Sequence, residues 1–237
     1  MHLLKILRFV LNLYDCEKIY YFKIMKKLLI YGATFVDTIR LVHKINAYKP
    51  TWEIVGFIDD NPEYVNARIC NYPVLGNYEY LKEYILRYPD VYVFNNVNPS
   101  IAVHKDVSER VDALQVQVPS LVHPDTDTEH VTIGKGVFIP HGCILGCNTV
   151  IGNYVTFRYG VIISHDVKIG DYAFIGPGSV CTSHAVIEPE SYIGAHSTII
   201  NKAIIGSGSI VGASTLVNKN VGSGSTVVGV PARLFKK

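Results

Sequence analysis

Residues 133–217 read IGKGVFIPHGCILGCNTVIGNYVTFRYGVIISHDVKIGDYAFIGPGSVCTSHAVIEPESYIGAHSTIINKAIIGSGSIVGASTLV. Every sixth position is apolar: Ile133, Ile139, Leu145, Ile151, Phe157, Ile163, Ile169, Ile175, Cys181, Ile187, Ile193, Ile199, Ile205, Val211 and Val217, with no slip of phase. The residue after each is often glycine, as at Gly134, Gly146, Gly152, Gly170, Gly176, Gly194, Gly206 and Gly212, and the fourth after is small or β-branched from Val137 to Thr215. An α-helix repeats at about 3.6 residues and a strand at about two, so neither produces a period of six. A chain that turns a corner every six residues does. Three hexads then close one triangular coil of about 18 residues, the left-handed parallel β-helix, with large apolar residues stacked inside and small ones beside the corners. Neighbouring coils pair as parallel strands about 4.8 Å apart, so residues one coil apart in sequence lie one above the other. Glycine is expected to ease the backbone through each corner.

The whole chain has 237 residues, 49% apolar and 18% charged, enough for packed cores and too little charge for disorder. A net charge of +2, with acids and bases interspersed, gives no basic stripe and excludes nucleic acid as the expected partner. The cysteines are Cys16, Cys70, Cys143, Cys147 and Cys181, an odd number without CxxC pairs, which fits a reducing, cytoplasmic setting. The stretch HLLKILRFVLNLY near the N-terminus carries Lys5 and Arg8, falls short of the roughly 20 apolar residues of a membrane span, and has no small-residue cleavage site. Residues 1–24 form either an added helix or an upstream extension, since KKLLIYGA after Met25 reads like the start of a domain.

Between residues 25 and 118 strands and helices alternate, as in a parallel α/β sheet. KKLLIYG is the first strand, Thr34 to Asn46 a helix, Glu53 to Ile58 a second strand, NYEYLKEYI a helix, VYVFNN a third strand and Pro99 to Leu114 a helix. Right-handed crossovers place the loops after Gly32, Asp59 and Asn96 along one ligand-binding edge. The plain alternative is a domain that only positions the β-helix.

The coil map sorts the outward residues by corner. One corner carries Glu129-His130, Cys147-Asn148, His165-Asp166, Ser183-His184, Asn201-Lys202 and Lys219-Asn220. His165 therefore has a carboxylate beside it and Ser183-His184 one coil above, the setting of a general base whose imidazolium is stabilised by Asp166. His123, His130 and His196 read as surface residues. The other corners, among them Lys135-Gly136, Asn153-Tyr154, His141-Gly142 and Tyr159-Gly160, read as solvated or interface turns.

The string GVIISHDVKIGDYAFIGPGSV, the coils after it and the terminal VVGVPARLFKK resemble the sugar O- and N-acyltransferases of the sialic-acid and bacillosamine biosynthesis type. The resemblance covers nearly everything from Met25 onward. It implies a Rossmann-like acceptor-binding domain at residues 25–118, followed by a left-handed β-helix at 119–237 that assembles as a homotrimer. It also implies transfer of an acyl group from acyl-CoA, acetyl-CoA foremost, to an amine or hydroxyl of a sugar or nucleotide-linked sugar, with no metal. By that similarity His165 accepts the proton and Asp166 raises its basicity. The thioester lies between adjacent subunits against Phe174, Ala195 and Ala213, and the Ser183 N–H stabilises the oxyanion.

The first domain departs from the family's pattern. Its glycine-rich turn is here Gly32-Ala33-Thr34-Phe35-Val36, in which Thr34, Phe35 and Val36 crowd a backbone approach to a diphosphate, although the following helix N-terminus remains open to phosphate. Asp59-Asp60 matches the family's acidic pair, while the motif that usually ends Gly-Asn is Val97-Asn98. These six positions, Thr34, Phe35, Val36, Asp59, Asp60 and Val97, are the expected acceptor contacts. Two other functions stay open: a non-catalytic hexapeptide-repeat scaffold, and zinc-dependent hydration of carbon dioxide by three histidines. The corner map disfavours the second: His165 and His184 share a corner on adjacent coils, but no third histidine has the matching placement, and His141 lies at a different corner.

Overall fold

The structure, a computed structural model, describes residues 25–235; the expectations for residues 1–24 lie outside this range. Its first part contains β1 (Lys26–Tyr31), α1 (Asp37–Tyr48), β2 (Trp52–Ile58), β3 (Arg68–Ile69), β4 (Tyr72–Gly76), α2 (Tyr78–Arg87), β5 (Tyr92–Asn95) and α3 (Ile101–Ala113). The sheet order is β3-β4-β2-β1-β5, parallel throughout except for the β3–β4 hairpin. Alternate residues of β1 face opposite sides of the sheet. Leu28 and Ile30 pack with Ile39 and Val42 of α1, whereas Leu29 and Tyr31 pack with Leu81 of α2 and Val107 and Val111 of α3. Asn77 and Ser100 cap α2 and α3 through their side chains, and α1 has no side-chain cap.

Two expectations for this part change. VYVFN is the fourth parallel strand rather than the third, because β4 was missed: Pro73 and a single buried residue, Val74, give it little of a strand's pattern. The first helix begins at Asp37 instead of Thr34. Residues 33–36 form a loop held to the β5 end by Asn96, whose Nδ2 donates to the carbonyls of Gly32 (2.8 Å) and Phe35 (2.9 Å).

The second part is a prism of three ladders of two-residue strands. One ladder stacks 132–133, 150–151, 168–169, 186–187 and 204–205, and a second stacks 144–145, 162–163, 180–181, 198–199 and 216–217. The third begins at Leu121–Val122 and runs through 138–139, 156–157, 174–175, 192–193 and 210–211 to Thr226–Val228. Pairing such as Ile151 with Ile169 and Ile163 with Cys181 keeps the expected 18-residue offset. After Val217 the coil shortens, so that Val211 pairs with Val227. The repeating apolar residues fill the interior, and the small set is buried beside them. Where that small residue carries a hydroxyl, its proton goes to a nearby carbonyl, as from Ser179 to Gly194 O and from Ser197 to Gly212 O (both 2.8 Å), so burial leaves no orphan.

The glycines that follow the apolar residues act differently from the expectation. Left-handed backbone occurs two positions further on, at Gly136, Gly142, Tyr154, Asp166 and His184. The earlier glycines are needed for close approach: a Cβ on Gly176 would sit 2.7 Å from the Ala195 nitrogen of the next coil.

The two parts meet along the third ladder and its flanking corners. Phe138 is buried against Phe35 and Phe94, and the Tyr154 hydroxyl donates to Asp112. His104 is buried with its ring nitrogens 2.8 Å from Val97 O and 3.2 Å from Tyr154 O, and Lys105 pairs with Glu190 at 2.7 Å. No helix among the described residues is long and apolar enough to cross a membrane.

Candidate functional site

The corner after strand 162–163 carries Ser164, His165 and Asp166. It is tied to its neighbours by Asp166 N–H donating to Cys147 O (3.0 Å) and His184 N–H donating to His165 O (3.2 Å). A Cβ on Gly146 would collide with the His165 backbone nitrogen, so the coil beneath must be glycine for this corner to close. Asp166 and His184 both have left-handed backbone, φ 59° and 60°, where a side chain costs on the order of 1–2 kcal/mol relative to glycine. The same conformation recurs at other corners, as at Asn148, Tyr172 and Lys202, so it belongs to the corner and not to the chemistry.

His165 Nδ1 lies 2.7 Å from Asp166 Oδ2, and His165 Nε2 lies 2.8 Å from the Ser183 hydroxyl, which in turn lies 3.0 Å from Ser164 Oγ. A carboxylate can only accept, so Nδ1 carries the proton and Nε2 presents its lone pair to Ser183. The His184 ring stands edge-on, 5.4 Å between centroids. The hydrogen bond from His165 holds the Asp166 carboxyl below its usual range, outweighing solvent loss, with Asn148 and the charge of His184 adding to it. A half-exposed imidazole with a fixed tautomer and a carboxylate behind it can take a proton from an amine or hydroxyl that displaces the Ser183 hydroxyl. Among the described residues the Ser183 N–H donates to no protein acceptor, which leaves it free for a developing oxyanion.

The other expected β-helix contacts lie on a different edge. Phe174 projects from the third ladder, its ring parallel to Tyr192 at 4.8 Å, and Ala195 and Ala213 sit at the corners that follow that ladder one coil apart. Within one chain these three are not brought to His165; only Ser183 is.

The expected first-domain residues converge at the ends of β1, β2 and β5 on a cleft of about 550 Å³, lined by Gly32, Thr34, Phe35, Asp59, Asp60 and Val97 among others. Val36 does not line it; it precedes α1 and is exposed. Both acids already have partners inside the chain. Asp59 accepts from Ala33 N–H (2.7 Å) and Asn61 N–H (2.9 Å), and Asp60 accepts from the Tyr31 hydroxyl (2.6 Å), Tyr78 N–H (2.9 Å) and Arg110 (3.0 Å). Burial pushes the Asp60 carboxyl up, but those three donors together hold it below its ordinary value. The pair thus shapes the cleft floor by fixing the loop after β1 and the start of α2.

Sequence reasoning missed Asn96, His104 and Arg158. Asn96 had a signal, an amide doublet directly after an apolar strand. Arg158 had one too, since it follows Phe157 at a hexad position elsewhere often glycine. His123, expected at the surface, is buried and packs edge-on against His141 at 4.7 Å, because its strand opens the prism beneath α1. His123, Asp125 and His141 line a cavity of about 750 Å³ beside α1. That trio, like His165, Asp166 and His184, is close enough to hold a metal ion.

No known family profile and no curated protein matches the chain by sequence. Solved structures do match by shape. GDP-perosamine N-acetyltransferase from Caulobacter crescentus, in a form with one histidine replaced and in complex with CoA and GDP-perosamine, aligns over 89% of this chain and 97% of its own at 19% identity, TM-score 0.79. The acetyltransferase domain of PglB from Neisseria gonorrhoeae, in complex with acetyl coenzyme A, aligns over 89% of this chain and 100% of its own at 24% identity, TM-score 0.79. WeeI from Acinetobacter baumannii aligns over the same shares, 89% and 100%, at 27% identity, TM-score 0.75. This chain shares the fold of these three proteins over 89% of its length.

Proposed function

We propose that this protein is an acetyl-CoA-dependent acyltransferase whose acceptor is an amino sugar carried on a nucleotide. The observation that carries the reading is the His165 constellation, a base fixed by Asp166 at a β-helix corner. It occurs in a chain with the fold of acetyltransferases solved with CoA and, in one case, with a nucleotide-linked sugar. His165 Nε2 takes the proton as the acceptor amine attacks the thioester carbonyl, and the Ser183 N–H holds the oxyanion. Collapse breaks the C–S bond, and the imidazolium returns the proton to the CoA sulfur. The Rossmann-like assignment of the first domain is supported by its strand order, in which the two loops after β1 and β5 meet where the order reverses, the usual place for a nucleotide.

The assembly we propose is a homotrimer. The cleft lies on the third-ladder side of the prism, while His165 lies at the opposite corner, between the other two ladders. In the trimer we propose, an acceptor seated in one chain's cleft meets the base of a neighbour and not its own. Ile144, Ile162, Val150 and Ile204 project outward beside the His165 corner and are exposed, as an apolar contact surface requires. Light scattering at micromolar concentration is expected to give three chains; a monomer contradicts it.

The test of the function is a screen of nucleotide-linked amino sugars with acetyl-CoA and mass detection of the product. His165→Ala is expected to lower turnover by roughly 10²- to 10⁴-fold. Equal activity in the two proteins would return the chain to the scaffold reading.

A further inference from the structure

We propose that Arg158 is the phosphate anchor of the acceptor cleft, its guanidinium holding the diphosphate of the nucleotide-linked sugar in place of the backbone contacts that a glycine-rich loop would supply. The inference rests on the acyltransferase reading above and names the group that this chain uses at that site.

Arg158 leaves the third ladder just after strand 156–157, with its own N–H donating to Ile175 O at 2.9 Å. Its side chain runs into the junction between the two parts. The guanidinium carbon stands 4.3 Å from the ring centre of Phe35, in the loop after β1, and 5.3 Å from that of Phe174, on the next coil. Stacking on aromatic faces fixes the plane of a guanidinium and leaves its edge N–H groups free to fork onto an oxyanion. Arg158 lines the cleft of about 550 Å³ together with Gly32, Thr34 and Asn96.

The charge balance of the cleft singles this residue out. Its other cation, Arg110, is 3.0 Å from Asp60 and 4.0 Å from Asp106, and lies over the Tyr78 ring at 4.2 Å. Asp59 and Asp60 are occupied by the chain itself. Among the described residues Arg158 forms no ion pair, and its guanidinium donates to no protein acceptor, although it is half-buried. Burial, the largest influence on it, already pushes its pKa down, with Asp37 acting the other way from a distance. A desolvated cation without a carboxylate is costly unless an anion completes it.

The same residues explain why the loop could lose its glycines. Phe35 forms one wall of the clamp and packs on Phe138 at 5.6 Å, so a bulky residue there builds the phosphate site instead of blocking it.

CoA also carries a diphosphate, and Phe174 borders the surface where the resemblance places CoA, so the experiment must separate the two sources. Calorimetry on the full chain compares GDP with guanosine, UDP with uridine, and CoA, for wild type, Arg158→Met and Arg158→Lys. In wild type one nucleoside diphosphate is expected to bind more tightly than its nucleoside. Arg158→Met is expected to weaken that diphosphate by roughly 10- to 100-fold, leave the nucleoside and CoA unchanged, and so erase the preference for phosphate. Arg158→Lys keeps the charge without the planar fork and is expected to fall between. A mere packing role would lower affinity for nucleoside and diphosphate alike, and that result overturns the proposal. So does weakening of CoA alone, or no binding of either diphosphate by wild type while CoA still binds; that last outcome leaves the acyltransferase reading standing. Loss of CoA binding in wild type would defeat both.

Discussion

Gly32→Ala separates the roles of the two parts of the chain most sharply. Gly32 sits at φ +108°, and a Cβ built there lies 2.6 Å from Val97 Cγ2, 2.9 Å from the Val97 nitrogen and 3.2 Å from the Asn96 carbonyl carbon. The methyl of Val97 can rotate away, but the backbone cannot, because Asn96 N–H donates to Tyr31 O at 2.7 Å and the Asn96 amide is bonded to Gly32 O. The left-handed conformation costs on the order of 1–2 kcal/mol, and displacing the loop adds a similar amount, so about 2–4 kcal/mol in all. At 2 kcal/mol, Tm falls by roughly 8–16 °C if the first part melts alone and by about 4–8 °C if it melts with the β-helix. The variant is compared with wild type by calorimetry and by initial rates with each substrate varied. Moving the loop opens the Phe35–Arg158 clamp, so the acceptor KM rises while that of acetyl-CoA holds. An unchanged Tm together with an unchanged acceptor KM would refute the argument.

Four further outcomes are expected. Phe157→Ala empties a fully buried position in the middle of the prism and costs about 3–5 kcal/mol, read from urea unfolding. Asp166→Asn leaves Tm near wild type, since the residue is solvated, but lowers kcat more than it changes acetyl-CoA KM, because the imidazolium formed in the transition state loses its counter-charge. Asp60→Asn gives up charge-assisted bonds to Tyr31 and Arg110 at a partly exposed site and costs roughly 1 kcal/mol after solvent screening, with the acceptor KM unmoved; a large KM change with intact stability contradicts its placement as a structural residue. His104 is held below its normal pKa, mainly by burial, so the unfolded chain binds its proton first: this contribution is absent above about pH 6.5 and becomes destabilising as pH falls below it. Tm of wild type and His104→Gln between pH 7.5 and 5 reads this, the wild type losing more.

How far each region was legible follows from how local its causes are. The β-helix repeats one short physical requirement, an apolar residue inside and a small one beside the corner, and Ile163 or Ser179 can be placed by counting alone. Counting also put His165 beside Asp166 and under Ser183, because residues 18 apart must stack; it could not say that the serine hydroxyl meets the imidazole. It assigned the glycines to the wrong cause, since φ and inter-coil clearance leave the same mark on a sequence. In the first part β4 hid behind Pro73, and Asp59 and Asp60 were legible as residues at a strand end but not as acceptors of Ala33 N–H and the Tyr31 hydroxyl. Those bonds join positions 26 and 29 residues apart with no periodicity between them.

The cleft shows what such non-local bonding does to inference by motif. A glycine-rich turn binds phosphate by baring backbone, and the sequence Thr34-Phe35-Val36 looks like the loss of that ability. Yet the replacement is coordinated across 123 residues: Phe35 stacks on Arg158, and Arg158 occupies a hexad position that elsewhere is often glycine. Either change alone weakens the case for a phosphate site. Phe35 without the arginine is a plug over the loop, and Arg158 without the phenylalanine is a solvated cation on a β-helix face. Together they hold a half-buried guanidinium between two rings at the mouth of a cleft, and the cation then has a reason to forgo an internal carboxylate. In the proposed phosphate site the other part of the chain thus makes up for a loop without glycines after Gly32, and double substitution of Phe35 and Arg158 should cost less in diphosphate affinity than the sum of the single changes, as coupled groups do.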